Sequence, residues 1–288
     1  LLFYQVRLHC YVVVELKTEK FKPEFAGKLN FYVTAVNKNM KTEWDYTELA
    51  EAYLKRPDYA QEAIDKMLGI AGMKKGDYAC DVGAGAAHLT LKLAEYGLNV
   101  CAVEPNDAMR ANGIRRTSEF GSVQWFEGVG EHTGMEEGKF DLITFGSSFN
   151  VCNRQEALVE AKRILKDGGW FACMWNHRDL NDPLQKEIEE VLKKEISDYN
   201  YGTRREDQTE VINQSGLFGE VVYVEGTVIH EILSEDFIEG WKSHGTVQRQ
   251  SKDKFDLINN EIRKVVEAKD TEYIKVPYTT RIWMAQVK

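Results

Sequence analysis

The sequence predicts an α/β fold, a mostly parallel seven-stranded sheet with helices on both faces, behind a short amino-terminal strand-strand-helix appendage. Three observations predict it. From Tyr46 onward, apolar runs of strand length alternate with amphipathic runs of helical length, the order that covers a parallel sheet on both sides. A glycine turn, Asp81-Val82-Gly83-Ala84-Gly85-Ala86-Ala87-His88, joins one apolar run to one amphipathic run. Finally, residues 1–39 differ from the remainder in charge and pattern, which marks them as a separate piece.

That first piece holds six basic residues against three acidic ones, whereas the rest of the chain holds 31 against 43. Residues 2–8 and 10–16 read as strands and 21–35 as a helix, and Asn37-Lys38-Asn39 is a polar break before Met40. Boundaries at 1–39 and 40–288 follow. The run through Cys10-Tyr11-Val12-Val13-Val14-Glu15-Leu16-Lys17 and Phe21-Lys22-Pro23-Glu24-Phe25 resembles the carboxy-terminal part of a PD-(D/E)xK endonuclease-like domain. Glu15 and Lys17 fit its E-x-K, but the metal-binding Asp of that pattern has no counterpart, so the resemblance implies a truncated, catalytically dead remnant.

In the body, strands are expected at 78–82, 99–104, 123–127, 140–145, 169–175, 221–229 and 278–287. Insertions at about 176–220 and 232–270 carry helical spacing at 183–196 and 255–266. Glycines are required after the first strand because a chain entering a helix this sharply needs torsions that side chains resist, and because a ligand lies against bare backbone. Nineteen residues after Gly85, Glu104 ends the next strand, where one carboxylate suits the two hydroxyls of a ribose. An adenosine-containing ligand is therefore expected.

A dinucleotide fingerprint wants a third glycine where this chain has His88, which disfavours an NAD-linked oxidoreductase. No G-x-x-x-x-G-K-[ST] phosphate loop occurs. The stretch from Asp81 to Gly85 resembles the D/E-x-G-x-G motif of class I S-adenosylmethionine-dependent methyltransferases, with Ala87 where many members have a further glycine. The resemblance implies a Rossmann-like sheet with its last strand antiparallel, S-adenosylmethionine as cofactor and a small-molecule acceptor. It also implies cofactor contacts at Asp81, Gly83 and Gly85, at Glu104, Pro105, Asn106 and Met109, at the turn Val129-Gly130-Glu131, and at Gly146 closing the fourth strand. Tyr53 and Arg56 match residues that close over the methionine carboxylate, a task for which a planar guanidinium is suited. Arg163-Ile164-Leu165-Lys166-Asp167-Gly168-Gly169 resembles the family turn in which paired glycines end a helix.

Methyl transfer from a sulfonium is an in-line displacement, so alignment in a dry pocket supplies most of the catalysis, about 7–11 kcal/mol of barrier in favourable cases. Where an acceptor proton must leave, His177, just past a strand end, is the candidate base. The acidic body argues against a nucleic-acid duplex as partner. No membrane span or metal site is expected, and five scattered cysteines fit a reducing cytoplasm. A cofactor-binding but inactive interaction protein is the alternative from another class.

Overall fold

The computed structural model of the chain describes residues 2–5, 10–13 and 45–288. It divides into two compact units, Leu1–Asp45 and Tyr46–Lys288. In the first, β1 (Leu2–Gln5) and β2 (Cys10–Val13) pair antiparallel, Leu2 opposite Val13 and Gln5 opposite Cys10. Glu15, Lys17 and the helix expected at 21–35 lie outside the described residues.

The second unit is built on β3 (Tyr78–Val82), β4 (Asn99–Val103), β5 (Val123–Phe126), β6 (Phe140–Gly146), β7 (Leu165–Arg178), β8 (Val222–Leu233) and β9 (Tyr273–Gln286). Their order is β5-β4-β3-β6-β7-β9-β8, parallel from β5 through β7, with β9 antiparallel to both neighbours. Along β3 the side chains alternate between two cores: Ala79 joins one face, Cys80 and Val82 the other. On the first face pack α2 (Gln61–Ile70) and α3 (His88–Tyr96), through Ile64, Met67, Leu89 and Leu93. On the second pack α5 (Arg154–Ile164) and α7 (Thr209–Gln214), through Leu158, Ala161, Ile164 and Ile212. A short α1 (Ala50–Tyr53) precedes the sheet, and α4 (Asp107–Arg116) follows β4.

Three strands differ from expectation. The α5 helix ends at Ile164 without the glycines, because Leu165 is already extended and enters β7. Gly168, at φ +74°, and Gly169 instead carry the irregularity between the Phe140–Leu165 and Leu142–Trp170 pairs. Gly169 has no room for a Cβ there, which would meet Leu165 Cδ2 at 2.9 Å. β8 and β9 run on past the end of β7 as a two-stranded ribbon, Ile229 opposite Pro277 through Leu233 opposite Tyr273. Pro277 makes the sequence look like a strand end, but its carbonyl faces away from β8 and accepts from Asp179 N, so the missing N–H costs β8 no ladder bond.

The ribbon carries helices from both insertions. From the first comes α6 (Pro183–Glu195), capped by Asp182, and from the second α8 (Ser234–Trp241), α9 (Gly245–Ser251) and α10 (Phe255–Glu267). Leu184, Ile188 and Leu192 share one apolar core with Phe237, Trp241, Ile258 and Ile262. Two insertions separate in sequence thus fold as one subdomain. Among the described residues no helix is long and apolar enough to cross a membrane.

Candidate active site

Connections leave β3 and β6 in opposite directions along the sheet, so a crevice opens beyond their carboxyl ends, where open α/β sheets hold ligands. Leaving β3, the chain takes left-handed torsions at Gly83 (φ +66°), Gly85 (φ +55°) and Ala87 (φ +69°) before α3 begins. The first two are at ease as glycine; Ala87 carries roughly 1 kcal/mol of strain. A Cβ on Gly83 would lie 2.4 Å from Ser148 Cβ, so that glycine is needed for packing. On Gly85 it would lie 3.1 Å from Met109 Cε and 3.9 Å from Tyr53 Cε1, so this face of the turn looks at a thioether and an aromatic edge.

Glu104 and the turn, two separate features in sequence, are hydrogen-bonded to each other. One carboxylate oxygen accepts from Gly85 N at 2.8 Å, the other from Asn106 N at 2.9 Å. Burial raises the Glu104 carboxyl pKa, and the two amides work against that rise. Each oxygen keeps a lone pair for a further donor. Pro105 is exposed between them. Asn106 caps α4, its Oδ1 accepting from Met109 N at 3.0 Å, and Met109 is thereby seated over Gly85. Asp107, the first residue of α4, pairs with Arg110.

Asp81 is enclosed, accepting from Thr90 Oγ1 at 2.7 Å and Thr144 Oγ1 at 2.9 Å, and burial pushes its pKa up to about 6. Its carboxylate ties the first turn of α3 to β6. Val129 closes a tight turn with His132 and is exposed. A Cβ on Gly130 would sit 2.5 Å from Cys152 Sγ, so packing against Cys152 demands that glycine. Glu131 accepts from Asn153 N at the head of α5. Gly146 ends β6 under Tyr59, whose hydroxyl shares a 3.0 Å hydrogen bond with Ser147 Oγ, and Ser147 itself takes φ +60°.

Over the turn, the Tyr53 ring meets His88 edge-on at 5.7 Å and Tyr46 at 6.0 Å, and Arg56 lies 5.0 Å above it. Arg56 also donates to Ser243 Oγ at 2.6 Å and Ser243 O at 2.8 Å, tying this segment to the residues between α8 and α9. His88, held neutral with its pKa pushed down to about 3 by burial and by Arg116 and Arg56, leaves Nε2 buried and unpartnered.

His177 pairs in register with Thr279 and is 5% exposed, with neither ring nitrogen hydrogen-bonded. Burial and then Arg205, Arg281 and Arg204 push its pKa down to about 3. It is a poor proton acceptor in this setting. Ser243 carries no signal of its own in the sequence, because its partner Arg56 lies 187 positions away.

The sheet order, with β9 antiparallel, defines a Rossmann-like α/β fold of the class I methyltransferase type. Residues 80–173 match the family model described as a methyltransferase domain, and residues 1–50 match that of the YhcG PDDEXK nuclease domain. These matches support a class I methyltransferase domain behind a nuclease-like segment. An uncharacterized methyltransferase of Mycobacterium bovis is 29% identical over 141 residues, 48% of this chain and 54% of that protein. The ubiquinone/menaquinone biosynthesis C-methyltransferase of Zymomonas mobilis is 32% identical over 113 residues, 38% and 47% of the two chains. The chain thus spans about half the length of the curated relatives it matches. In fold it resembles the YcgJ protein of Bacillus subtilis, at TM-score 0.51 and 16% identity over 79% of this chain and 98% of the other.

Proposed function

We propose that this protein transfers a methyl group from S-adenosylmethionine to a small-molecule acceptor. The observation that carries the proposal is the bond from Gly85 N to Glu104, which brings a bare backbone turn and a carboxylate together at the switch point of the sheet. Glu104 would take the ribose hydroxyls on its spare lone pairs, and Gly83 and Gly85 would let the ligand lie against the chain. The edge of the Tyr53 ring and the Met109 thioether line the face of Gly85. Arg56, with two of its donors on Ser243, has others left for a methionine carboxylate. Val129 and Glu131 flank the adenine side, and Asp81 acts by fixing α3. When bound, the cofactor supplies a methyl already activated on sulfur, so the chain's own task is to align the acceptor and exclude water. A base of pKa about 3 adds little at neutral pH, so His177 is assigned no proton transfer.

The cytoplasm is the proposed compartment, since Cys80, Cys101 and Cys173 are buried thiols set in strands of the sheet and unpaired. Calorimetry with S-adenosylhomocysteine and NAD, followed by a screen of soluble metabolites for labelled methyl uptake, tests the proposal. Binding of the first ligand with methyl uptake by a metabolite supports it. Binding of NAD alone would replace it with an oxidoreductase, and binding without uptake by any metabolite would favour an inactive interaction protein.

A further inference from the structure

At the carboxyl end of β7, against the first insertion, three guanidinium groups gather round one ring. The Cζ atoms of Arg205, Arg204 and Arg178 lie 3.9, 5.6 and 5.9 Å from the centre of the Tyr201 ring. One carboxylate faces them. Glu189 Oε2 accepts from Arg178 Nη2 at 2.6 Å and from the Tyr201 hydroxyl, which also receives Arg178 Nη2 at 3.1 Å. Arg205 donates to a carbonyl, that of Arg178, at 3.2 Å. Among the described residues neither Arg204 nor Arg205 pairs with a carboxylate, and Arg178 Nη1 is buried without a partner.

Glu189 also pairs with Lys193 Nζ at 3.4 Å, so the positive charges of this half-buried cluster outnumber its carboxylate, inside a chain whose net charge is −9. Burying unbalanced charge is costly unless a counter-charge arrives. Burial lowers the pKa of both Arg204 and Arg205, as expected for cations short of anionic partners. The cluster borders the proposed site. Arg178 lies 5.0 Å over the Trp241 ring, Trp241 stacks on His244 at 4.1 Å, and the neighbouring Ser243 holds Arg56 beside Tyr53. His177 and His244 add ring nitrogens that are buried and unpartnered.

We propose that the acceptor is anionic, a small molecule whose carboxylate or phosphate group is held by Arg178, Arg204 and Arg205. The word acceptor rests on the methyltransferase reading; the anion site itself does not. Planar guanidinium forks match either oxyanion bidentately. Tyr199, 5.3 Å from Tyr201, and Trp241 give the site aromatic walls.

The test uses the full chain, titrated by calorimetry with inorganic phosphate, with benzoate and with neutral benzamide, each with and without S-adenosylhomocysteine. The expected result is that phosphate or benzoate binds and benzamide does not. Arg204→Gln then weakens anion binding at least tenfold, Arg204→Lys less, and the affinity for S-adenosylhomocysteine stays within twofold in both. Preference for phosphate or for benzoate identifies the oxyanion. Failure of both anions to bind overturns the proposal, as does undiminished anion binding in both Arg204→Gln and Arg205→Gln. A lower melting temperature in those variants with anion affinity intact would show that the arginines only brace the insertion on Tyr201. If S-adenosylhomocysteine does not bind while the anion still depends on Arg204, the anion site stands and the cofactor assignment falls.

Discussion

The glycine turn and the arginine cluster lie beyond the carboxyl ends of two parallel strands, β3 and β7, and they are built on opposite terms. In the turn nearly every polar group is satisfied from within: Gly85 N and Asn106 N on Glu104, Thr90 and Thr144 on Asp81, Met109 N on Asn106. Around Tyr201, three guanidinium groups gather by one carboxylate, Glu189, to which Arg178 donates. The first is a rigid shape made ready for a ligand, and the second is a charge imbalance that a ligand can resolve.

The largest expected effect breaks the turn. Gly83→Ala forces a Cβ to 2.4 Å from Ser148 Cβ at φ +66°, and should destabilise the chain by about 3 kcal/mol in denaturant titrations. Adding Ser148→Gly should recover the steric part and leave the torsional part. If Gly83→Ala proves neutral, the turn is not rigid.

Next in size is Glu104→Gln, which keeps the shape but turns an amide NH2 toward one of two backbone donors. It should weaken S-adenosylhomocysteine binding by about 2 kcal/mol in calorimetry, with melting temperature lowered but a folded chain. Unchanged affinity would separate the acid from the ligand.

Acidification acts through the histidines. His88 and His177 are neutral in the folded chain, each pushed down to about 3, whereas unfolded they gain a proton below about 6.5. Stability is therefore full above pH 6.5 and is lost as pH falls, at roughly 1.4 kcal/mol per pH unit for each histidine. Asp81, raised to about 6, opposes this below pH 6, because the folded state holds its proton more tightly. Denaturant titrations at pH 7.5 and 5.5 should show the loss, and His177→Gln should reduce its slope.

The smallest effect is a gain. Ala87→Gly relieves a left-handed alanine and should stabilise the chain by about 1 kcal/mol or less, measured as a rise in melting temperature.

The turn was legible in sequence because its logic is local: a strand, glycines at fixed offsets and a helix, with Glu104 a fixed distance on. The seven strands were legible by apolar run length, except where β7 starts before its glycines at Leu165 and where β8 and β9 pass Pro277 as a ribbon whose partners are each other. Ala87, Gly130 and Asp81 carry family positions whose demands here come from torsion, from Cys152 and from two threonines. None of those demands is visible one residue at a time. The arginine cluster was not legible, since Arg178 and the Arg204-Arg205 pair meet only when the first insertion folds back on β7.

The most direct test of the account is a calorimetric titration of S-adenosylhomocysteine into the wild-type chain and into Gly85→Arg, whose side chain would fill the space under Met109 and Tyr53. Saturable binding to the wild type, lost in Gly85→Arg with the far-ultraviolet circular dichroism unchanged, is the predicted result. Equal binding to both chains would contradict it.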